Sequence, residues 1–230
     1  MQKNALFSAA LIACSLTLAS AGDAPLNALT AAEQADGWTL LFDGTSLDQW
    51  RNYQAEGISD KWKIADGVFT LTEAGGGNII TKEMYGAFEL TLDFRIAPEG
   101  NSGLMYHVDE EEKQPWFTGP EVQIQDNAHG HDPQKAGWLY QLYAAEVDAT
   151  KPAGEWNTLH IVISPEGCSH TMNGVKYVEY VKGSADWDAK VAASKFSKFA
   201  NFGKAFSGHI CLQDHGNVVS FRNVKIKVPK

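Results

Sequence analysis

The stretch from Ala87 to Ile96 constrains the fold of this chain more than any other. Phe88, Leu90, Leu92, Phe94 and Ile96 alternate without a break with Ala87, Glu89, Thr91, Asp93 and Arg95. Successive side chains on a strand point to opposite faces, so this segment is a strand with one face in a core and the other in water. The same period recurs downstream. Leu104, Tyr106 and Val108 alternate with Met105 and His107; Val122 and Ile124 with Glu121, Gln123 and Gln125; Leu159, Ile161 and Ile163 with His160 and Val162; Ile210 and Leu212 with His209, Cys211 and Gln213. Asn173-Gly174, between two such runs, predicts a type I′ hairpin. Phe221 and Val224 break phase, which predicts a bulge near Arg222-Asn223. Helical signals are few: Leu29 to Asp36, with Thr30 as N-cap and Glu33 three residues on, and a helix or loop insertion over Trp187 to Phe202. Many short strands with hairpin turns predict an all-β, two-sheet sandwich.

The N-terminus reads as an export leader over residues 1–21. Lys3 supplies the positive charge, Ala5 to Ala19 is apolar and uncharged, and Ala19-Ser20-Ala21 is an A-x-A cleavage site. The apolar run is short for a membrane span. Leu11-Ile12-Ala13-Cys14 also resembles a lipobox, so two destinations follow. One is a periplasmic or secreted protein; the other is an outer-membrane lipoprotein anchored at Cys14. Residues 22–36 form a lead-in and 37–230 a single domain, a size that sandwiches reach as one unit. Formal net charge is -9. Losing the leader removes Lys3 and makes the chain more acidic still, which excludes an electrostatic footprint for nucleic acid. Cys168 and Cys211 both sit in strand-like runs, so a disulfide and two buried thiols are equally open.

The densest chemistry lies between Gln213 and Asn223. Leu212-Gln213-Asp214-His215-Gly216 and Phe221-Arg222-Asn223 bring amides, a carboxylate, an imidazole and a guanidinium onto two strands and their turn. These residues resemble the C-terminal signature of the 3-keto-disaccharide hydrolase domain family. Leu41-Phe42-Asp43-Gly44-Thr45-Ser46-Leu47-Asp48-Gln49-Trp50 resembles its opening. Trp62-Lys63-Ile64-Ala65-Asp66-Gly67, Tyr85-Gly86-Ala87-Phe88-Glu89-Leu90, Asn101-Ser102-Gly103, Gly119-Pro120-Glu121-Val122-Gln123, Gly154-Glu155-Trp156-Asn157 and Asn173-Gly174-Val175 follow in the family's order. The resemblance covers about residues 37–227. It implies a concanavalin-like jelly roll and an enzyme acting on 3-keto-glycosides.

Glu121, Gln123 and Gln125 share a strand face by their spacing. That face offers one carboxylate and two amides, whereas a retaining glycosidase needs two carboxyl groups about 5–5.5 Å apart. The resemblance implies elimination instead. A carbonyl at C3 acidifies the C2 hydrogen, a base removes it, the C1–O bond breaks, and water adds back to the enone. This chemistry needs a base, an acid for the leaving oxygen and an electrophile for the enolate. His215, Glu121 and His107 are the catalytic candidates. Arg95, Asn101, Gln123, Trp138, Tyr140, Gln213 and Arg222 are the candidates for binding a small carbohydrate. The electrophile is either a divalent ion (Mn, Zn or Ca) held by His107 and Glu121, or a protein cation, Arg95 or Arg222; no organic cofactor is expected. His129-Gly130-His131-Asp132 has ligand-type side chains but no zinc spacing and reads as a polar loop. The rival function is a non-catalytic carbohydrate-binding sandwich. Separation of His215 from Glu121 would favour it.

Overall fold

The computed structural model describes residues 25–229. The leader, its cleavage site and Cys14 lie outside the described residues. The chain runs α1 (Ala31–Ala35), β1 (Trp38–Leu40), β2 (Trp50–Asn52), β3 (Trp62–Ala65), β4 (Val68–Leu71), β5 (Ile79–Thr81), β6 (Phe88–Ile96), β7 (Asn101–Val108), β8 (Glu121–Gln125), β9 (Asn157–Ile163), β10 (Cys168–Met172), β11 (Val175–Tyr180), α2 (Ala185–Ala193), β12 (His209–Leu212) and β13 (Val219–Lys227). Two antiparallel sheets pack face to face. One has the order β11-β10-β9-β6-β13-β4-β3, with β1 also on β13; the other has the order β2-β5-β12-β7-β8. This is the expected two-sheet sandwich.

Strand β6 shows why the pattern works. Phe88, Leu90, Leu92, Phe94 and Ile96 are buried while the residues between them are partly or fully exposed. Complete burial of each such side chain contributes about 1.5–3 kcal/mol. Ile210 and Leu212 from the facing sheet meet this row in the same core, as do the clustered rings of Phe42, Phe69 and Phe221. Asn173 and Gly174 have φ of 50° and 80°, the positive values a type I′ turn demands. The bulge in β13 falls where the phase breaks: Arg222 pairs with Asp93 but Lys225 pairs with Thr91, and Asn223 takes φ 52°. The extra residue returns Val224 to the core. Asn27 and Asn223 exchange two 2.8 Å bonds that satisfy the bulged backbone. The capping box of α1 forms as its sequence predicts, Thr30 accepting from the Glu33 amide while the Glu33 carboxylate accepts from the Thr30 amide.

Strand β7 departs from its sequence pattern. His209 pairs with Val108 and Cys211 with Met105, so two residues of β7 stand opposite Ile210. His107 takes φ 53° at this bulge. The kink carries Val108 across the sheet to pack with Met105, Ile80 and Cys211 on the outer face. That face is itself covered by Tyr53 and Trp116, which buries Met105, while His107 is buried against Phe88, Tyr106 and Lys182. Cys168 and Cys211 are free buried thiols on different sheets. Among the described residues no helix is long and apolar enough to cross a membrane.

Candidate active site

The outer face of the five-stranded sheet forms the floor of a cavity of about 270 Å³, near the small end of the range for ligand pockets. Register lines up its residues. Glu121 stands opposite Met105, Met105 opposite Cys211, Cys211 opposite Ile80, and Ile80 opposite Arg51. Next along, Gln123 stands opposite Gly103, and the Gln213 backbone N–H donates to the Gly103 carbonyl at 2.9 Å. Gly103 leaves the space that the Glu121 carboxyl fills: a Cβ there would lie 2.3 Å from Glu121 Oε1. Asn101, at the head of β7, completes the amide set.

Three of these amides each leave one atom without a partner within the protein. Asn101 Oδ1, Gln123 Nε2 and Gln213 Oε1 are buried and unpaired. Gln123 spends its other atom on the Ile124 amide, at 3.2 Å. A buried polar atom without a partner costs about 1–3 kcal/mol, so three around one cavity suit a ligand rich in hydrogen-bonding groups.

Glu121 is buried, and burial pushes its carboxyl up to about 8. Lys195 opposes that shift and Asp132 adds to it. The group therefore holds its proton at neutral pH, as a proton donor must.

The walls come from loops. The segment Gly137 to Tyr140 runs along the free edge of β8, with Gln123 N donating to Trp138 O and Tyr140 N to Glu121 O. This places the Tyr140 hydroxyl 2.6 Å from Asp132 Oδ2, to which it donates. Lys195 and Phe196 enter on a 3₁₀ turn, Lys195–Lys198, whose first turn is capped by Ser194. Phe196 is fixed by stacking on Phe202, with centroids 4.0 Å apart. Trp116 closes another side from the turn Pro115–Phe117. At the rim, Asp214 Oδ2 accepts from the amides of Gly75 and Gly77, and Oδ1 from Gly216. Gly216 takes φ 91°, and this tight turn leaves His215 exposed at the cavity mouth.

The structure thus brings together Glu121, Gln123, Asn101, Tyr140, Gln213 and His215. Four expected residues stand elsewhere. His107 sits beside Lys182 near a different cavity of about 20 Å³; its Nε2 bonds the Gly86 carbonyl at 2.9 Å and its Nδ1 accepts from Lys182 Nζ at 2.9 Å. Burial and the Lys182 charge press its imidazole down to about 4. Arg95 and Arg222 lie on the outer face of the other sheet, where both guanidinium groups stack on Trp156 at 4.8 and 4.1 Å, and Arg222 pairs with Asp93 at 3.1 Å. Trp138 is half-buried and packs against the core rather than the cavity.

The metal pair His107 and Glu121 does not fit, because the two are not together and both His107 nitrogens are engaged. Among the described residues no three His, Cys, Asp or Glu side chains form a metal-binding group. In the loop His129 to Asp132, His129 pairs with Asp126 at 3.2 Å while Asp132 lines the cavity. Sequence reasoning missed Lys195, Phe196 and Trp116. The insertion itself was the only signal for the first two.

Residues 37–227 match the 3-keto-alpha-glucoside-1,2-lyase-like domain. A curated relative from Bacteroides thetaiotaomicron, a 3-keto-disaccharide hydrolase, is 29% identical over 89% of this chain and 83% of its own length. The crystal structure of a candidate glycosyl hydrolase from Parabacteroides distasonis shares 34% identity at a TM-score of 0.84, covering 89% of this chain and 100% of that one. A Bacillus subtilis protein with a galectin-like fold superposes at a TM-score of 0.50 with 11% identity, over 79% of this chain and 90% of its own, a likeness of fold alone. By the extent of the match, the chain belongs to the 3-keto-alpha-glucoside-1,2-lyase-like domain family.

Proposed function

We propose that this protein is an enzyme that cleaves 3-keto-glycosides by elimination and hydration, a net hydrolysis. One observation carries the reading: three unpaired buried amide atoms surround a buried, protonated carboxyl in a single cavity. The amides suit the hydroxyl and keto oxygens of one sugar ring. His215 at the mouth takes the C2 proton, and the electron pair moves toward the C3 oxygen. As the C1–O bond breaks, Glu121 gives its proton to the departing oxygen. Water then adds across the C1=C2 bond of the enone. The family membership and the Bacteroides relative support the same substrate class.

A non-catalytic sugar-binding module would not need a protonated carboxyl and an imidazole on the same cavity, so their shared location favours the enzyme. The test is incubation of the purified protein with 3-keto-trehalose or 3-keto-lactose, following free glucose and the enone. In D₂O, released 3-keto sugar should carry deuterium at C2, because elimination removes that hydrogen. Turnover with C2 hydrogen fully retained would refute elimination.

A further inference from the structure

The elimination reading, on which this inference rests, requires a positive group for the enolate oxygen, and neither expected arginine is near the cavity. We infer that Lys195 is the cation that meets the negative oxygen formed at C3 of the substrate. Lys195 is the one lysine or arginine among the cavity's lining residues. Its ammonium lies over aromatic faces, 4.2 Å from the Tyr140 ring centroid and 5.4 Å from that of Phe196. It enters no ion pair among the described residues. Asp132, which lines the same cavity, accepts from the Tyr140 hydroxyl and the Gln134 backbone amide and makes no ion pair with Lys195. The ring faces attract the ammonium without neutralising it.

The mount is fixed although the side chain is exposed. Phe196, the next residue, is buried in its stack with Phe202, and Ser194 caps the turn. Lys195 therefore projects an ammonium that has no ion-pair partner among the described residues over the cavity, where it can meet a developing oxyanion. The balance of the step is simple. The C2 proton leaves, its electron pair forms the C2=C3 bond, and the carbonyl electrons settle on the C3 oxygen opposite the ammonium. They return when the C1–O bond breaks, so Lys195 neither gains nor loses a proton.

The test compares Lys195→Met and Lys195→Arg with the parent on a 3-keto-glycoside. Loss of one group stabilising an oxyanion lowers kcat by roughly 10²–10³. Lys195→Met should show that loss in kcat with KM changed little, because the charge develops only in the transition state. Lys195→Arg should restore most of it. Melting temperatures should stay level, since the side chain is exposed. A second readout needs no turnover: the Glu121 carboxyl, followed by ¹³C NMR, should titrate at higher pH in Lys195→Met, because Lys195 is the neighbour that pulls it down.

Parent turnover with kcat of Lys195→Met within threefold of the parent overturns the inference and leaves the proposed function standing. A parent inactive on every 3-keto-glycoside sinks the proposed function. The carboxyl titration then decides whether Lys195 projects its charge onto the cavity, and an unmoved midpoint refutes it.

Discussion

Replacing Glu121 with glutamine should make this protein more stable while disabling it. Burial raises the carboxyl from 4.5 to about 8. Between those values the unfolded chain has released its proton and the folded chain has kept it, so stability falls as pH rises. At pH 7 the buried carboxyl costs about 3 kcal/mol relative to a group that does not titrate. The glutamine side chain keeps the shape and removes the ionisation. The variant should melt higher than the parent at pH 7 by roughly 6–12 °C, the shift that such a difference produces in a domain of this size.

The pH window matters. His107 and His170, each lowered to about 4, cost stability as pH falls below 6.5. Lys182, lowered to about 8, has a pH-dependent contribution above that value. Between pH 6.5 and 8 the Glu121 slope therefore dominates, and the parent should lose about 2 kcal/mol that Glu121→Gln does not. Chemical denaturation at these two pH values measures it. Turnover should fall by roughly 10²–10⁴, the range for a lost general acid. A variant no more stable than the parent, with the same slope, would show the carboxyl ionised in the folded state and remove it as proton donor.

Three further outcomes follow from the same geometry. The parent's kcat/KM should fall as pH rises through about 8, when Glu121 loses its proton; a rise through that pH would make Glu121 the base instead. His215→Ala should lower turnover by roughly 10²–10⁴ with an unchanged melting temperature, because the side chain is exposed; near-native turnover would remove it from the mechanism. Gly103→Ala should cost about 1–3 kcal/mol and abolish most activity by displacing the Glu121 carboxyl, and a crystal structure with that carboxyl unmoved would contradict the reasoning.

Strand periodicity was enough to place most of the core, because alternation reports directly which side chains share a face. Phe88 to Ile96 needed nothing else. The β13 bulge was legible for the same reason: a phase break between Phe221 and Val224 has few other physical causes. Alternation puts His107 on the wet face, but it lies at the β7 bulge, where it packs against Phe88, Tyr106 and Lys182. That bulge moves Val108 to the outer face and leaves no mark in the apolar pattern.

The arginines expose a deeper ambiguity. Arg95 and Glu121 each occupy the non-core position of an alternating strand, but a sandwich has two outer faces and the alternation is identical on both. What separates them is the kind of polar residue. The outer face of β6 carries Glu89, Thr91, Asp93 and Arg95, which pair among neighbours or face water. The outer face of β8 carries Glu121, Gln123 and Gln125, all buried. Amides tolerate burial where a free charge does not, and they offer donors and acceptors to a ligand in one side chain. An alternating strand whose polar positions are amide-rich marks the covered face, and hence the site. Lys195 stays invisible even to that rule, since an insertion between β11 and β12 delivers it to Glu121 across the fold.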